Sequence, residues 1–450
     1  MLFARKTQSS LLQPGIHHYL RQEGENKKRI HLRIDPDGYA TLLIDAAQVY
    51  HFNPSAALMA KAYLDDLSTE QTVQALGAAF SVKSDQAARD YAAFKEQLSV
   101  IVSPSMDACP FCDLNVEVTA PFSKQPSAPY RMDLALTYAC NNDCAHCYNV
   151  KQRDLASLSL EEWQRVLDKV WDAGIPHVVF TGGEPTLVKF LPQLIKYAEQ
   201  LGLITGLNTN GRRLQEEDYV QQLLDAGLDH VQITLESHDP AIHDRMVAHP
   251  GAFQETVQGI RNALATRLFV MTNTTLIQSN SKSLRETLQF LAELHIPTIG
   301  LNGIIHSGRG RQFSEELQEN ELPALLGLAQ HMTAASGQKL IWYTPTQYCH
   351  FDPLSMDLGV KGCTAALFNM CVEPNGDVLP CQSYYSSLGN LLVEDWQSIW
   401  EHDLAVSIRE RRYLPADCRQ CAILETCGGG CPLAISENAA VDPHYALQVD

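Results

Sequence analysis

Between residues 130 and 312 two patterns of apolar positions alternate. Short apolar runs, RMDLALT, HVVFTGG, ITGLNTN, HVQITLE, FVMTNTTL and TIGLNGI, read as strands. The stretches between them, such as LEEWQRVLDKVWDAG, space their apolar residues at helical intervals. Six repeats of strand then helix predict a parallel sheet curving into a partial (β/α)6 barrel, an α/β fold whose chemistry gathers at the carboxyl ends of the strands.

Residues 15–100 carry a different pattern. RIHLRI and ATLLID flank the turn DPDG, and VYHF follows as a third short strand. Helices then take over. Asn53 before Pro54 caps PSAALMAKAYL, Ser68 caps TEQTVQALGAAF, and Ser84 caps DQAARDYAAFKEQL. Three strands and three helices predict a small winged-helix-like domain. Residues 101–129, rich in Pro and Ser, follow neither period and read as a linker. Residues 313–340 read as a bridging helical segment. From 341 to 450 the pattern breaks into short segments and turns with eight cysteines, so metal or cluster binding is expected to organise this region.

Charge and cysteine content narrow the function classes. A net charge of -18 disfavours nonspecific binding to nucleic acid or anionic membranes. The opening MLFARKTQSSLLQPG lacks the apolar core of a signal peptide, and no uncharged apolar run reaches the roughly 18 residues of a membrane span. A cytoplasmic location is expected. Thirteen cysteines in that compartment point to metal or cluster ligation before disulfides.

Three of them, Cys140, Cys144 and Cys147, lie in TYACNNDCAHCYN, just after the first barrel strand. Three thiolates leave a metal site one ligand short. A zinc loop completed by His146 is one solution. The other is a cubane iron–sulfur cluster whose fourth iron binds a chelating cofactor. CNNDCAHCY resembles the signature of the radical SAM enzymes, in which the amino and carboxylate groups of S-adenosylmethionine supply the missing ligand.

FTGGEPTL after the second strand looks like that family's GGE motif. Gly182 and Gly183 permit close backbone approach to a ligand, and Glu184 offers a carboxylate to an ammonium group. The resemblance implies further cofactor contacts from Asn208 and Asn210 in NTNG, Thr234, Glu236 and Ser237 in ITLES, and Asn273 and Arg309. Each of these residues alone could equally cap a helix or satisfy a turn. No catalytic side chain is assigned.

The C-terminal cysteines read CTAALFNMCVEPNGDVLPC and then CRQCAILETCGGGC. This spacing is similar to the SPASM extension of radical SAM peptide-modifying enzymes. The resemblance implies a first auxiliary cluster on Cys363, Cys381 and Cys431, with Cys371 as a fourth ligand, and a second on Cys418, Cys421 and Cys427. The family supplies a further cysteine after the final pair; the tail PLAISENAAVDPHYALQVD has none. Cys109 or Cys112 in the linker, Cys349, Asp442, His444 or an open iron remain as alternatives.

DPDGYATLLIDAAQVYHFNPSAALMAKAYL resembles the PqqD-like peptide-recognition domains of enzymes that mature ribosomally made peptides. The combined resemblance implies a radical SAM/SPASM peptide maturase with three iron–sulfur clusters. It would reductively cleave S-adenosylmethionine to a 5'-deoxyadenosyl radical and leave a crosslink, thioether or other oxidative change in a precursor peptide bound through its leader. An external one-electron reductant such as flavodoxin or ferredoxin is implied. Modification of a protein side chain or cofactor precursor, or a zinc-dependent regulatory protein, are the other readings. DNA binding by the winged-helix-like domain is disfavoured because its last helix lacks a basic stripe.

Overall fold

A computed structural model of the chain describes residues 10–23, 26–103, 122, 125–149 and 155–438. Two compact units are present, Met1–Thr119 with Val170–Pro176, and Ala120–Lys169 with His177–Asp450. Among the described residues no helix is long and apolar enough to cross a membrane.

In the first unit an antiparallel sheet, ordered β1 (Gly15–Glu23), β2 (Asn26–Ile34), β3 (Ala40–Ile44) and β4 (Gln48–Phe52), precedes three helices. The sequence predicted three of these strands. β1, GIHHYLRQE, is half-exposed or exposed along its described side chains, so no apolar alternation marks it. Helix α1 (Pro54–Leu64) begins as expected, with the Asn53 side chain accepting from the Ala56 amide at 2.9 Å. Helix α2 (Thr69–Phe80) carries a full capping box between Ser68 and Gln71. Helix α3 (Ser84–Val102) starts one residue earlier than its predicted cap: Ser84 is already helical and Lys83 takes the capping position without a side-chain bond. It runs two residues into the predicted linker. Ile30, Leu32, Leu42, Leu58 and Tyr91 join sheet and helices in one core.

The second unit is built on a nine-stranded sheet ordered β11-β10-β9-β8-β7-β6-β5-β12-β13. The six predicted strands are β5 (Arg131–Thr137), β6 (His177–Gly182), β7 (Ile204–Thr209), β8 (His230–Thr234), β9 (Phe269–Thr275) and β10 (Thr298–Asn302). Helices α4 (Leu160–Asp172), α5 (Leu191–Leu201), α6 (Glu217–Asp225), α7 (Pro240–Val247), α8 (Ala252–Leu264) and α9 (Leu284–Glu293) connect them. The sheet then grows beyond the expected six. Helix α10 (Leu322–Ser336), the expected bridging segment, returns the chain to β11 (Lys339–Trp342), parallel to β10. β12 (Asn369–Val372), inside the cysteine-rich region, pairs in parallel with β5, and β13 (Val378–Leu379) closes antiparallel on it. These strands are too short for a period to show. With β11 and β13 at opposite ends of the order, the barrel stays open.

Register sorts the two faces of this sheet. Met132, Leu134, Val178, Phe180, Leu207, Val231, Ile233, Ile299 and Leu301 are fully or almost fully buried. The alternating positions are mostly polar: Asp133, Thr181, Asn208, Gln232, Asn273 and Asn302. Asn208, Gln232, Thr234, Asn273 and Asn302 are only partly buried. A sheet with one apolar face under helices and one polar, accessible face encloses a chamber for a polar ligand.

Candidate active site at the carboxyl ends of the strands

The loop after β5 carries Cys140, Cys144 and Cys147, all free thiols. Burial first, and then the nearby Glu236, Cys147 and Cys140, push the Cys144 thiol well above its ordinary range. A buried thiol that resists ionisation, with two more beside it, suits a cationic metal centre, whose charge stabilises a thiolate. Among the described residues no three His, Cys, Asp or Glu side chains converge as a single ion requires. The donor set is three sulfurs on one loop, which fits a cluster with one iron left for another ligand.

The loop is held from several sides. Gly183 N donates to Thr137 O at 2.6 Å and Glu184 N to Ala139 O at 2.8 Å. A Cβ on Gly182 would lie 2.2 Å from Thr137 O, and one on Gly183 2.2 Å from Ala139 O. These glycines therefore admit the backbone of the cysteine loop, where the sequence suggested a ligand. Glu184 is likewise engaged: Oε1 accepts from the Thr186 amide, the Thr186 hydroxyl and the Thr209 hydroxyl, and Oε2 from the Asn210 amide at 2.8 Å. Its buried carboxylate ties the ends of β6 and β7 together.

Several other predicted cofactor contacts also bond to the chain itself. Asn210 Nδ2 donates to Asn141 Oδ1 at 2.6 Å. Arg309 pairs with Asp143 at 2.9 Å, and its amide donates to Cys147 O at 2.9 Å. Ser237 Oγ accepts from the Asp239 amide, shaping the turn into α7. Glu236 accepts from the Thr275 amide at 2.8 Å and lies 3.1 Å from His146 Nε2. His146 is thus paired to a carboxylate, not turned to complete a metal site with its own loop.

Three predicted residues do face the chamber. Asn208 and Thr234 are partly exposed on the polar face. Asn273 donates to Asn302 Oδ1 at 2.8 Å, while its own Oδ1 is buried without a partner. An orphaned acceptor there calls for a donor from a ligand, and the ribose hydroxyls or amino groups of S-adenosylmethionine provide one.

The sequence reading missed Arg212. It is buried just after β7, and its guanidinium reaches Asn141 O at 2.6 Å, Asn142 Oδ1 at 3.0 Å, Glu255 at 2.5 Å and His249 at 3.2 Å. An arginine following NTNG was its one signal.

The floor between β5 and β12 is aromatic and polar. Tyr138 donates to Glu373 at 2.6 Å and Tyr385 to Asn149 at 3.3 Å. Cys371 packs with Tyr138, Ala135 and Leu379, opposite Asp133 in the strand register. Cys381 raises both Cys371 and Cys363, and Cys431 also acts on Cys363. Cys371 thus sits in the barrel wall and beside Cys381, one of the thiols with which it is expected to share the first auxiliary cluster. Burial raises the thiols of Cys363, Cys381 and Cys431, Cys381 to about 12. Cys109, Cys112, Asp442 and His444 lie outside the described residues.

With this geometry in place, comparison with known proteins is decisive on class. Residues 134–291 match the radical SAM superfamily, and residues 363–422 match the iron–sulfur cluster-binding SPASM domain. The chain is a radical SAM/SPASM enzyme. It is similar to PqqA peptide cyclase of Bradyrhizobium diazoefficiens, 28% identical over 71% of this chain and 86% of that protein. It is also similar to Fe-coproporphyrin III synthase of Methanosarcina barkeri, 27% identical over 65% of this chain and 81% of that protein. Streptococcus suis SuiB, in a crystal structure bound to precursor peptide SuiA, shares the fold with a TM-score of 0.68 and 16% identity. That likeness covers 94% of this chain and 97% of SuiB. The radical SAM/SPASM enzyme described here thus uses S-adenosylmethionine and iron–sulfur clusters.

Proposed function

We propose that the enzyme modifies a ribosomally made peptide, installing a crosslink, thioether or other oxidative change. The observation that carries this reading is the polar, accessible inner face of the sheet lying at the cysteine loop, with Asn273 Oδ1 unpaired within it. Cys140, Cys144 and Cys147 would hold a cluster that, when reduced, would supply the electron for cleaving S-adenosylmethionine to methionine and a 5'-deoxyadenosyl radical. Arg212, Glu184, Asn210 and Arg309 hold the cysteine loop; Asn208, Thr234 and Asn273 orient the cofactor; the open sheet admits the substrate. Two auxiliary clusters, on Cys363, Cys381 and Cys431 and on Cys418, Cys421 and Cys427, make three in all.

A peptide substrate is supported by the PqqA peptide cyclase relative and by a fold likeness too extensive to omit the first unit. That unit acts as a PqqD-like recognition domain. A leader segment adds as a strand at β4, the last strand in the sheet order, beside α3, to which β4 is tied by the Phe52–Phe94 ring contact at 5.6 Å. Holding the leader raises the local concentration of the core peptide at the barrel. The Fe-coproporphyrin III synthase relative supports a second reading, a cofactor precursor as substrate.

Coexpression with a short peptide encoded beside this chain, followed by mass spectrometry, separates the two. A mass change confined to the core peptide, and lost when residues 1–100 are removed from an otherwise folded enzyme that still cleaves S-adenosylmethionine, is the expected result. An unchanged peptide together with turnover of a porphyrin precursor would favour the second reading.

A further inference from the structure

The segment Thr346–Cys349 lies across the last group of cysteines. Gln347 Nε2 approaches Cys418 Sγ at 3.7 Å, and the Tyr348 amide donates to Cys427 Sγ at 3.4 Å. The Cys427 thiol in turn approaches Thr346 O at 3.9 Å. Three successive residues are each in contact with this cysteine group, and Cys349 is the next.

The segment is also fixed from behind. Thr346 N donates to Lys361 O at 3.1 Å, and Lys361 N to the Tyr348 hydroxyl at 2.9 Å. Gly430, in the left-handed region at φ 83°, lets the chain close here, since a Cβ on it would fall 2.8 Å from Gln347 Cγ. Cys349 is exposed and free, directly following the Tyr348 whose amide meets Cys427.

We propose that Cys349 is the fourth ligand of the second auxiliary cluster, beside Cys418, Cys421 and Cys427. The assignment rests on the auxiliary-cluster reading above. It brings in a ligand from upstream of the whole SPASM match, which starts at residue 363. Four protein thiolates leave no iron open, so this cluster passes electrons and does not bind a substrate group. A fourth thiolate would complete the coordination of a cubane.

The test is iron and sulfide content, with electron paramagnetic resonance of the reduced holoprotein, for the wild type, Cys349→Ala, Cys349→Ser and Cys418→Ala, all prepared anaerobically. Cys349→Ala is expected to lose about four irons per chain, or to keep them with a shifted signal from the cluster that Cys418→Ala removes. Cys349→Ser, with an oxygen ligand, is expected to retain more iron than Cys349→Ala. Wild-type iron and unshifted signals in both Cys349 variants, alongside loss of a cluster in Cys418→Ala, would overturn the assignment of Cys349 alone. If Cys418→Ala also kept every iron and signal, the auxiliary-cluster reading itself would fail.

Discussion

Arg212 donates to the backbone carbonyl of Asn141 at 2.6 Å, joining the end of β7 to the loop that carries the three cysteines. The same guanidinium holds Asn142, Glu255 and His249. A buried fork of this kind gives a glycine-free, irregular loop one shape before any cluster arrives.

Arg212→Ala is expected to leave Asn141 O and the buried Asn142 Oδ1 without their donor and to cost about 2 kcal/mol. The cluster-binding loop should loosen, so anaerobically reconstituted protein should carry less radical-site iron and form less 5'-deoxyadenosine. Arg212→Lys should recover only part of both, because an ammonium cannot span the same partners. Iron assay and product chromatography check this.

Glu184→Gln tests whether the GGE carboxylate is a brace. The amide that replaces Oε2 cannot accept from the Asn210 amide. A loss of about 2 kcal/mol in stability follows for one charged hydrogen bond left unmade. Affinity for S-adenosylmethionine should fall through misplacement of the loop. Unchanged thermal stability in the variant would instead point to a carboxylate free for ligand.

Asn273→Ala removes the orphaned acceptor. Affinity for S-adenosylmethionine should fall roughly tenfold, as one hydrogen bond is worth about 1.4 kcal/mol at most. Iron content should stay at the wild-type value. Calorimetric titration with the cofactor measures the first and colorimetric assay the second.

His230 predicts an acid dependence at the opposite end of the strands. Its Nε2 is 2.8 Å from His177 Nε2, its Nδ1 is buried without a partner, and burial lowers its pKa to about 4. The unfolded imidazole protonates near 6.5. Between these values the unfolded chain binds the extra proton, so this contribution to stability is complete above 6.5 and lost as pH falls towards 4. Thermal unfolding should be less pH-dependent in His230→Gln than in the wild type; identical slopes would remove His230 from the account.

Much of this was readable in the residues because local rules agreed with the fold. The six barrel strands and the caps at Asn53 and Ser68 were readable from period and side-chain chemistry. β1 was not, since half-exposed strands do not alternate, and β12 was not, since four residues hold no period. At the site, residue type could not tell which candidates bond across strands to their own chain. Glu184, Asn210, Ser237, Glu236 and Arg309 bond to protein, and Asn208, Thr234 and Asn273 face the chamber. That division depends on pairings across strands, such as Asn210 with Asn141 or Arg309 with Asp143. Cys349 was ambiguous for the same reason: Tyr348, its neighbour, meets Cys427 only in the folded chain.

The central claim is that the loop of Cys140, Cys144 and Cys147 starts radical chemistry on S-adenosylmethionine. The most direct measurement is chromatographic quantification of 5'-deoxyadenosine formed by anaerobic holoprotein with a strong reductant, in the wild type and in the variant with all three cysteines changed to Ala. The wild type should form it and the variant should not, while the variant keeps the iron of its C-terminal clusters. Equal formation in both proteins, or none in a wild type loaded with iron, would contradict the account.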